Sequence, residues 1–178
     1  MTTSLSIVDE FRTRAEANQS TVHEFATWSA VATLALNLAG SEVVAVTPTL
    51  AASCPELIEA LGDRLLLPDP EAPFESVADA AVGIAEGQLA IAESGSVLLS
   101  QDTRPDRAVS MFSRIGIQVV PRDRVVPSLD DAAAWLEASE GAVSLATLVT
   151  GPSRTADIER SLTIGVQGPS DLHVVILG

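Results

Sequence analysis

Apolar residues along the chain follow two alternating patterns. Short, nearly continuous apolar runs are typical of strands buried on both faces of a sheet, and segments with apolar residues at helical spacing lie between them. The runs that predict strands are residues 42–47, 64–67, 88–92, 96–100, 116–120, 143–149 and 172–177, with 125–126 as an edge strand. The segments that predict helices are residues 4–17, 21–38, 55–61, 76–82, 105–112 and 128–141, followed by a helix that begins near Ser153.

This alternation predicts an α/β fold, a three-layer α/β/α sandwich with a mainly parallel central sheet that helices cover on both faces. At 178 residues and 47% hydrophobic composition, the chain can bury a sizeable core within one domain. Residues 1–20 are expected to form a helical extension that packs on the domain or on a partner, and residues 21–178 the domain itself. In such sheets ligands bind beyond the carboxyl ends of the strands.

The junction after the run 143–149 carries the densest group of candidate ligand-binding residues. Gly151 and Pro152 end the strand, and Pro152 suits the first turn of a helix. Ser153, Arg154 and Thr155 add two hydroxyls and a planar cation, while a helix start would add free backbone N–H groups and partial positive charge. The pattern predicts a site for a carboxylate or a phosphate. Its structural alternative is a capped helix start.

Two side-chain pairs follow from a helix that begins near Ser153. Arg154 and Asp157 are three residues apart, and Thr155 and Glu159 are four apart, so each pair would share a helix face. An arginine held by Asp157 would form a preorganised anion clamp. The alternative is an ordinary surface ion pair, which contributes less than ~1 kcal/mol.

A second candidate site is the turn between the predicted strands 88–92 and 96–100. It contains Glu93, Ser94, Gly95 and Ser96, and Gly95 permits a positive φ. The Glu93 carboxylate has the chemistry of a nucleophile or a general base, and it equally suits accepting hydrogen bonds from its own turn. Like the junction, this turn is expected at the carboxyl edge of the sheet, so the two would face each other.

Composition excludes several classes of function. The 24 acidic and 10 basic residues give a formal net charge of −14, which argues against a nucleic-acid or anionic-membrane partner. Because every basic residue is arginine, Schiff-base chemistry, a pyridoxal phosphate linkage and a phosphate-loop lysine are excluded. The single Cys54 cannot form an internal disulfide or hold a metal or an iron–sulfur cluster alone.

The sequence predicts a cytoplasmic protein with no membrane span. Acidic residues interrupt the first ten positions, so no secretory signal is indicated. The apolar stretch 25–39 contains several polar residues and falls short of the ~18 continuous apolar residues that a spanning helix needs.

Other chemistries find little support. A Ser/His/Asp triad would need His23 or His173, but no G-x-S-x-G turn exists, and His173 lies in a predicted strand as a core or edge histidine. The clustered signatures of metal sites and the glycine patterns of nucleotide-binding loops are both missing. We therefore expect no metal and no resident cofactor in this chain.

Five ordered motifs resemble those of the LUD domain family, the family of lactate utilisation protein C. They are residues 83–85 (GIA), 90–97 (AIAESGSV), 123–127 (DRVVP), 151–159 (GPSRTADIE) and 165–169 (GVQGP). The resemblance covers roughly residues 76–178, and the string G-P-S-x-[ST]-A-D-I-E is its most specific part. The first half of the chain matches weakly and is shorter than in typical relatives.

The resemblance implies both a fold and a function. The fold would be similar to that of sugar-phosphate isomerases and coenzyme A transferases of the NagB/RpiA type. The function would be support of L-lactate oxidation to pyruvate together with two partner proteins, one of which carries iron–sulfur clusters. This chain would be the member without iron–sulfur clusters. It would bind a small anionic ligand with the turn at Glu93, the junction 151–159, and Gln167 and Gly168.

Two departures from the family pattern bear on catalysis. Ala85 stands where relatives commonly have threonine, and Gln167 stands where they have histidine. Coenzyme A transferases present a catalytic glutamate in a similar Ser-Glu-Asn-Gly turn, a fold-level analogy for Glu93. Three hypotheses stay open: a ligand-binding subunit for lactate oxidation, an autonomous transferase or isomerase that uses Glu93, and a scaffold without a ligand.

Overall fold

The computed structural model describes residues 6–139, 141–155, 163–164 and 168–178. Its main sheet consists of β1 (Thr21–Phe25), β2 (Val44–Val46), β3 (Leu65–Leu66), β4 (Val82–Glu86), β7 (Ile115–Pro121) and β12 (Asp171–Leu177). All neighbouring pairs are parallel, in the order β1–β12–β7–β4–β2–β3. Four of the apolar runs predicted as strands, residues 42–47, 64–67, 116–120 and 172–177, therefore lie in a parallel sheet, and its central strands are buried.

A second sheet has a different construction. Its strands are β5 (Leu89–Ile91), β6 (Ser96–Ser100), β8 (Val125–Val126) and β9 (Ala146–Val149), in the order β8–β5–β6–β9. β6 is antiparallel to both β5 and β9, whereas β8 is parallel to β5. A short antiparallel pair, β10 (Arg154–Thr155) and β11 (Thr163–Ile164), follows the junction.

Seven helices lie in the described part of the chain. They are α1 (Ile7–Ala17), α2 (Trp28–Ala39), α3 (Pro48–Ser53), α4 (Pro55–Leu61), α5 (Pro73–Ser76), α6 (Arg104–Phe112) and α7 (Leu129–Ala138). The predicted cap of α7 is confirmed, since Ser128 and Asp131 form a reciprocal capping box. Within these described helices, none has the length and apolar character that crossing a membrane requires.

Successive residues of β12 face different layers. Val175 packs in one core cluster with residues of α2 and α4, while Val174 and Ile176 pack in another with α1 and the second sheet. Ala132 and Trp135 of α7 pack against β5 and β6 of the second sheet. Helices therefore lie on both faces of the parallel sheet, and the predicted α/β/α class is confirmed.

The prediction of a continuous helix over residues 21–38 is wrong in its first part. Residues Thr21–Phe25 form the edge strand β1, which pairs with β12 from the other end of the chain. The helix begins only after Thr27, whose side chain accepts a hydrogen bond from the Ala30 N–H. Pairing with a distant strand overrides the helical spacing of the local sequence.

The predicted helix over residues 76–82 is also wrong. Helix α5 ends at Ser76, and Val82 begins the central strand β4. Gly83 does not end a helix: a Cβ there would lie 2.3 Å from Ser113 Oγ and 2.6 Å from the Val109 carbonyl oxygen. The glycine lets α6 pack directly on the sheet.

Candidate functional site

A cavity of about 460 Å³ is lined by both sheets, by α6 and by two loops. This volume lies in the range of small-molecule sites. The described residues that line it are Leu99, Gln101, Ser110, Met111, Gln118, Thr147, Leu148, Val149, Thr150, Gly151, Pro152, Ser153, Gly168, Pro169 and Leu172. The cavity therefore includes four residues predicted as ligand-binding, namely Gly151, Pro152, Ser153 and Gly168.

One hydrogen bond joins the two motifs that meet at this cavity. The Ser153 N–H donates to the Pro169 carbonyl oxygen at 2.9 Å. Beside it, a Cβ on Gly168 would lie 3.3 Å from the Ser153 Cβ, so the two loops are in close contact. The structure thus brings together the junction and the second glycine–proline motif, which are separate in sequence.

Gly151 has a structural reason to be glycine. Its φ is +77°, and a Cβ would lie 2.2 Å from the Asn18 carbonyl oxygen at the end of α1. A side chain at this position would need both an unfavourable backbone conformation and a shift of α1. The helix α1 is therefore part of the wall that positions the junction.

The predicted helix start at the junction is wrong. Arg154 and Thr155 form strand β10, and the Ser153 N–H donates within the protein, so it does not present a free helix N-terminus to a ligand. The Ser153 N–H is therefore not the free donor at a helix start that the sequence predicted. The predicted site residues Asp157, Glu159 and Gln167 lie outside the described residues.

The junction also differs from its predicted place in the sheet. It follows β9, which belongs to the second, largely antiparallel sheet, and it contacts the loop that leads into β12. The rule that ligands bind at the carboxyl ends of parallel strands therefore does not apply to this cavity. The same correction holds for the turn at Glu93, because β5 and β6 also belong to the second sheet.

Glu93 lies on an exposed turn, and its carboxylate contacts a helix. Glu93 Oε1 accepts a hydrogen bond from the Leu129 N–H at 3.1 Å, at the first turn of α7. A carboxylate at this position satisfies a backbone donor and complements the helix dipole. Glu93 is not among the described residues that line the 460 Å³ cavity. The observed contact is that of a helix cap.

The rest of this turn packs against α1. Ser94 accepts a hydrogen bond from Asn18 Nδ2 through its carbonyl oxygen at 3.1 Å, and Gly95 has a φ of +68°. A Cβ on Gly95 would lie 2.4 Å from the Ala15 nitrogen. Ser96 is buried, and its hydroxyl lies 2.6 Å from Thr150 Oγ1. The turn and the junction are therefore neighbours, joined by α1 and by this pair of hydroxyls.

Sequence reasoning missed Gln118, a cavity residue in the middle of β7. Its side chain is only 5% exposed, and its Oε1 has no hydrogen-bond partner among the described residues. Gln101, which is equally buried, does have a partner, since its Nε2 donates to Ser110 Oγ. The signal was present in the sequence: Gln118 is the one polar residue within the apolar run 115–120.

A smaller cavity of about 30 Å³ lies at the carboxyl ends of β2 and β4. Asp106, 4% exposed, accepts hydrogen bonds there from the Thr49 N–H at 3.2 Å, from Thr49 Oγ1 at 2.8 Å and from Thr103 Oγ1 at 2.5 Å. Ala85, one of the two departures from the family pattern, lines this cavity. The space is of the size of one or two water molecules, and the Asp106 bonds tie α3 to α6.

The two histidines form a pair on neighbouring strands. His23 Nε2 lies 2.9 Å from His173 Nδ1, and His173 Nε2 lies 3.4 Å from Asp171 Oδ2. Burial lowers the pKa of His23 below its usual 6.5, and the charges of His173 and Arg12 lower it further. Neither histidine is among the described residues that line the large cavity. Among the described residues, no histidine lines the cavity that Ser153 lines, so no catalytic triad with Ser153 is seen there.

Asp102 fixes the start of the strand that leads to the junction. Its Oδ1 accepts hydrogen bonds from the Ser144 N–H at 2.6 Å, from Ser144 Oγ at 2.7 Å and from the Leu145 N–H at 3.0 Å. Ser100 Oγ donates to its other oxygen at 2.8 Å. These bonds, with Ser144 as the largest contributor, lower the pKa of Asp102 to about 2.

The chain is similar in sequence to two proteins named lactate utilization protein C. Lactate utilization protein C of Geobacillus thermodenitrificans is 36% identical over 108 residues, covering 58% of this chain and 45% of that protein. Lactate utilization protein C of Macrococcus caseolyticus is 40% identical over 100 residues, covering 54% of this chain and 43% of that protein. The matched segments thus span less than half the length of these relatives.

A solved structure and a family model cover nearly the whole chain. The crystal structure of a DUF162 family protein from Deinococcus radiodurans is similar with a TM-score of 0.76 at 23% sequence identity, covering 98% of this chain and 100% of that chain. This likeness shows the fold. The family model described as the LUD domain matches residues 8–177, from α1 to the end of β12. The chain therefore belongs to the LUD domain family.

Proposed function

We propose that this chain binds a small carboxylate in the 460 Å³ cavity and that this binding serves lactate utilisation. The observation that carries the proposal is the convergence of Gly151, Pro152, Ser153 and Gly168 on one cavity. Relatives named lactate utilization protein C supply the metabolic context. The division into an extension, residues 1–20, and a domain, residues 21–178, remains a prediction.

The charge of the ligand follows from the composition of the junction. The protein carries a formal net charge of −14, so an anionic ligand needs a local cation. None of the described residues that line the cavity is ionisable. Arg154 directly follows Ser153, which lines the cavity, and we propose that its guanidinium pairs with the carboxylate. Ser153 and Thr155 would add hydroxyl donors.

The proposal assigns the electron transfer of lactate oxidation to partner proteins. A single cysteine cannot hold an iron–sulfur cluster alone, so clusters would be in the partners and this chain would contribute ligand binding. L-lactate and pyruvate both have the carboxylate that Arg154 would bind. We propose a cytoplasmic assembly in which this chain is a subunit without a redox centre.

Calorimetric titration with L-lactate, pyruvate and a phosphorylated three-carbon acid tests ligand binding. We expect a three-carbon carboxylate to bind the wild-type protein and to bind Arg154→Ala at least about tenfold more weakly, because a charge-assisted hydrogen bond is lost. The matched control is Arg104→Ala, which removes the same charge from an exposed arginine that lies 5.7 Å from the centre of the Phe74 ring. Equal affinities in all three proteins would exclude Arg154, and no binding to the wild type would overturn the proposal.

The proposed partnership has its own test. The full-length chain, tagged and expressed in its native host during growth on L-lactate, should co-purify with cysteine-rich proteins that contain iron and labile sulfide. Growth on a carbon source that does not require lactate oxidation provides the control. Purification without iron–sulfur proteins under both conditions would contradict the partnership and leave ligand binding to the calorimetric result.

A further inference from the structure

The 460 Å³ cavity is larger than a three-carbon acid requires. At roughly 30 Å³ for each water molecule in the liquid, its volume corresponds to about fifteen non-hydrogen atoms. Lactate consists of three carbons and three oxygens. Because a binding site generally encloses most of the surface of its ligand, lactate at the junction would leave the larger part of this cavity to water.

Apolar side chains from four different elements line the cavity. Leu99 of β6 and Leu172 of β12 are almost fully buried, so they belong to its inner wall. Met111 of α6 and Leu148 of β9 also line it, and 44% and 50% of their surfaces are exposed. A ligand in contact with these two side chains would remove apolar surface from water, which favours binding of an apolar group.

Several polar side chains of the cavity already have partners within the protein. Gln101 donates to Ser110, and Ser110 Oγ donates to carbonyl oxygens of its own helix. The hydroxyls of Thr150 and Ser96 pair with each other. The amide oxygen of Gln118 has less than 1 Å² of accessible surface, so a molecule in the cavity does not reach it. The part of a ligand beyond its carboxylate would therefore meet mainly the apolar walls.

We propose that the cavity binds an aliphatic carboxylate with a longer apolar chain than that of lactate, about six to eight carbons in all. The inference rests on the proposed function, in which a carboxylate lies at the junction and pairs with Arg154. The chain of the same molecule would lie against the four apolar side chains. Each further methylene that leaves water should then strengthen binding by about threefold to fourfold until the cavity is filled.

A series of acids with one head group tests the inference. Calorimetry with the wild-type protein measures the affinities for L-lactate and for the L enantiomers of 2-hydroxybutanoate, 2-hydroxyhexanoate and 2-hydroxyoctanoate. We expect the affinity to rise along the series, so that 2-hydroxyhexanoate binds at least about tenfold more tightly than L-lactate. A gain of less than tenfold would overturn the inference.

Matched leucine variants test whether the chain lies in this cavity. Leu148→Gln places a polar side chain at an exposed lining position and should lower the preference for 2-hydroxyhexanoate over L-lactate at least about threefold. Leu145→Gln is the control, because Leu145 is also exposed but is not among the described residues that line the cavity. It should keep the wild-type preference. Met111→Gln and Phe112→Gln repeat the comparison on α6, where Met111 alone of the two lines the cavity.

The preference is a ratio of two affinities measured on the same protein, so a partial loss of folded protein does not change it. An unchanged preference in Leu148→Gln, or an equal loss in Leu145→Gln, would overturn the inference.

The binding results distinguish this inference from the proposed function. Binding of L-lactate as tightly as the longer acids would overturn the inference while carboxylate binding stands. Binding of the longer acids alone would support both. Binding of none of the four acids would overturn both.

Discussion

Two turns of the second sheet have similar composition but different surroundings. The turn at residues 92–96 and the junction at residues 150–153 each contain a serine and a glycine with positive φ, and both glycines pack against the end of α1. The two segments differ in their other contacts. The junction lines the 460 Å³ cavity together with Gly168, whereas Glu93 of the turn accepts a hydrogen bond at the start of α7.

The difference shows that residue types at a turn do not by themselves define a site. Glycine and serine occur in both segments because both residue types are favoured in tight turns. What separates the segments is the element that each meets after folding, which is the loop before β12 for the junction and α7 for the turn. Three predictions test this contrast.

The largest effect is expected for the glycines that contact α1. Gly151→Ala and Gly95→Ala should each lower the free energy of unfolding by about 2–4 kcal/mol, because each adds a Cβ against backbone atoms at a positive φ. Urea denaturation measures the effect. Only Gly151→Ala should also weaken carboxylate binding, since only Gly151 lines the cavity.

Gly141 provides the matched control for both glycine variants. Its φ is +74°, but a Cβ there would have no neighbour within 4 Å. Gly141→Ala should therefore cost only the backbone strain, about 1 kcal/mol. A loss as large as that of Gly151→Ala would show that the α1 contact is unimportant.

A smaller effect is expected at Asp102. Its hydrogen bonds hold the start of β9, the strand that leads to the junction and not to the turn at Glu93. Asp102→Ala should lower the free energy of unfolding at pH 7 by about 0.5–1 kcal/mol, a value discounted because the carboxylate is exposed. The pKa of Asp102 is lowered from 3.8 to about 2 by bonds from Ser144 and Ser100. The unfolded chain therefore binds this proton more readily than the folded protein does.

The lowered pKa of Asp102 fixes the direction in which the free energy of unfolding changes as the pH falls. The stabilisation by Asp102 is complete above pH 3.8 and is lost as the pH falls towards 2. Unfolding free energies measured between pH 5 and pH 2 should fall less steeply in Asp102→Ala than in the wild type. Asp63→Ala, which removes an exposed carboxylate with no described hydrogen bond of this kind, is the matched control variant. Equal slopes in all three proteins would contradict the prediction.

The smallest effect is expected at Glu93. Glu93→Ala removes the acceptor at the first turn of α7 and should cost about 0.5–1 kcal/mol, while the affinity for carboxylates stays unchanged. Glu93→Gln retains an acceptor and should cost less. A tenfold loss of affinity in Glu93→Gln at unchanged stability would instead place Glu93 in the binding site.

Most elements of the fold could be predicted because their signals are local. The apolar run 116–120, the Ser128 capping box and the prolines at helix starts each lie within one segment. The two wrong helix predictions, over the first part of residues 21–38 and over residues 76–82, have a common cause. Residues 21–25 form a strand because β12 pairs with them, and Gly83 lies in a central strand because α6 packs on it. Neither partner is local in sequence.

The candidate site was predicted in part. Gly151, Ser153 and Gly168 meet at one cavity, although the strand β10 replaces the predicted helix start. Gln118 was missed because a single polar residue in an apolar strand has no periodic pattern to mark it. The burial of its amide oxygen can be seen only in the folded structure, because it depends on which distant strands and helices surround β7.

The sequence by itself determined the α/β class, the exclusion of lysine chemistry, and the motifs of the LUD domain family. These follow from composition, periodicity and ordered motifs, which are properties of the chain. The tertiary structure alone decided that the second sheet is separate, that Glu93 contacts the start of α7, and that Gln118 Oε1 is buried without a partner among the described residues. Such features depend on which distant elements pack together, because burial and hydrogen-bond partners exist only after the chain has folded.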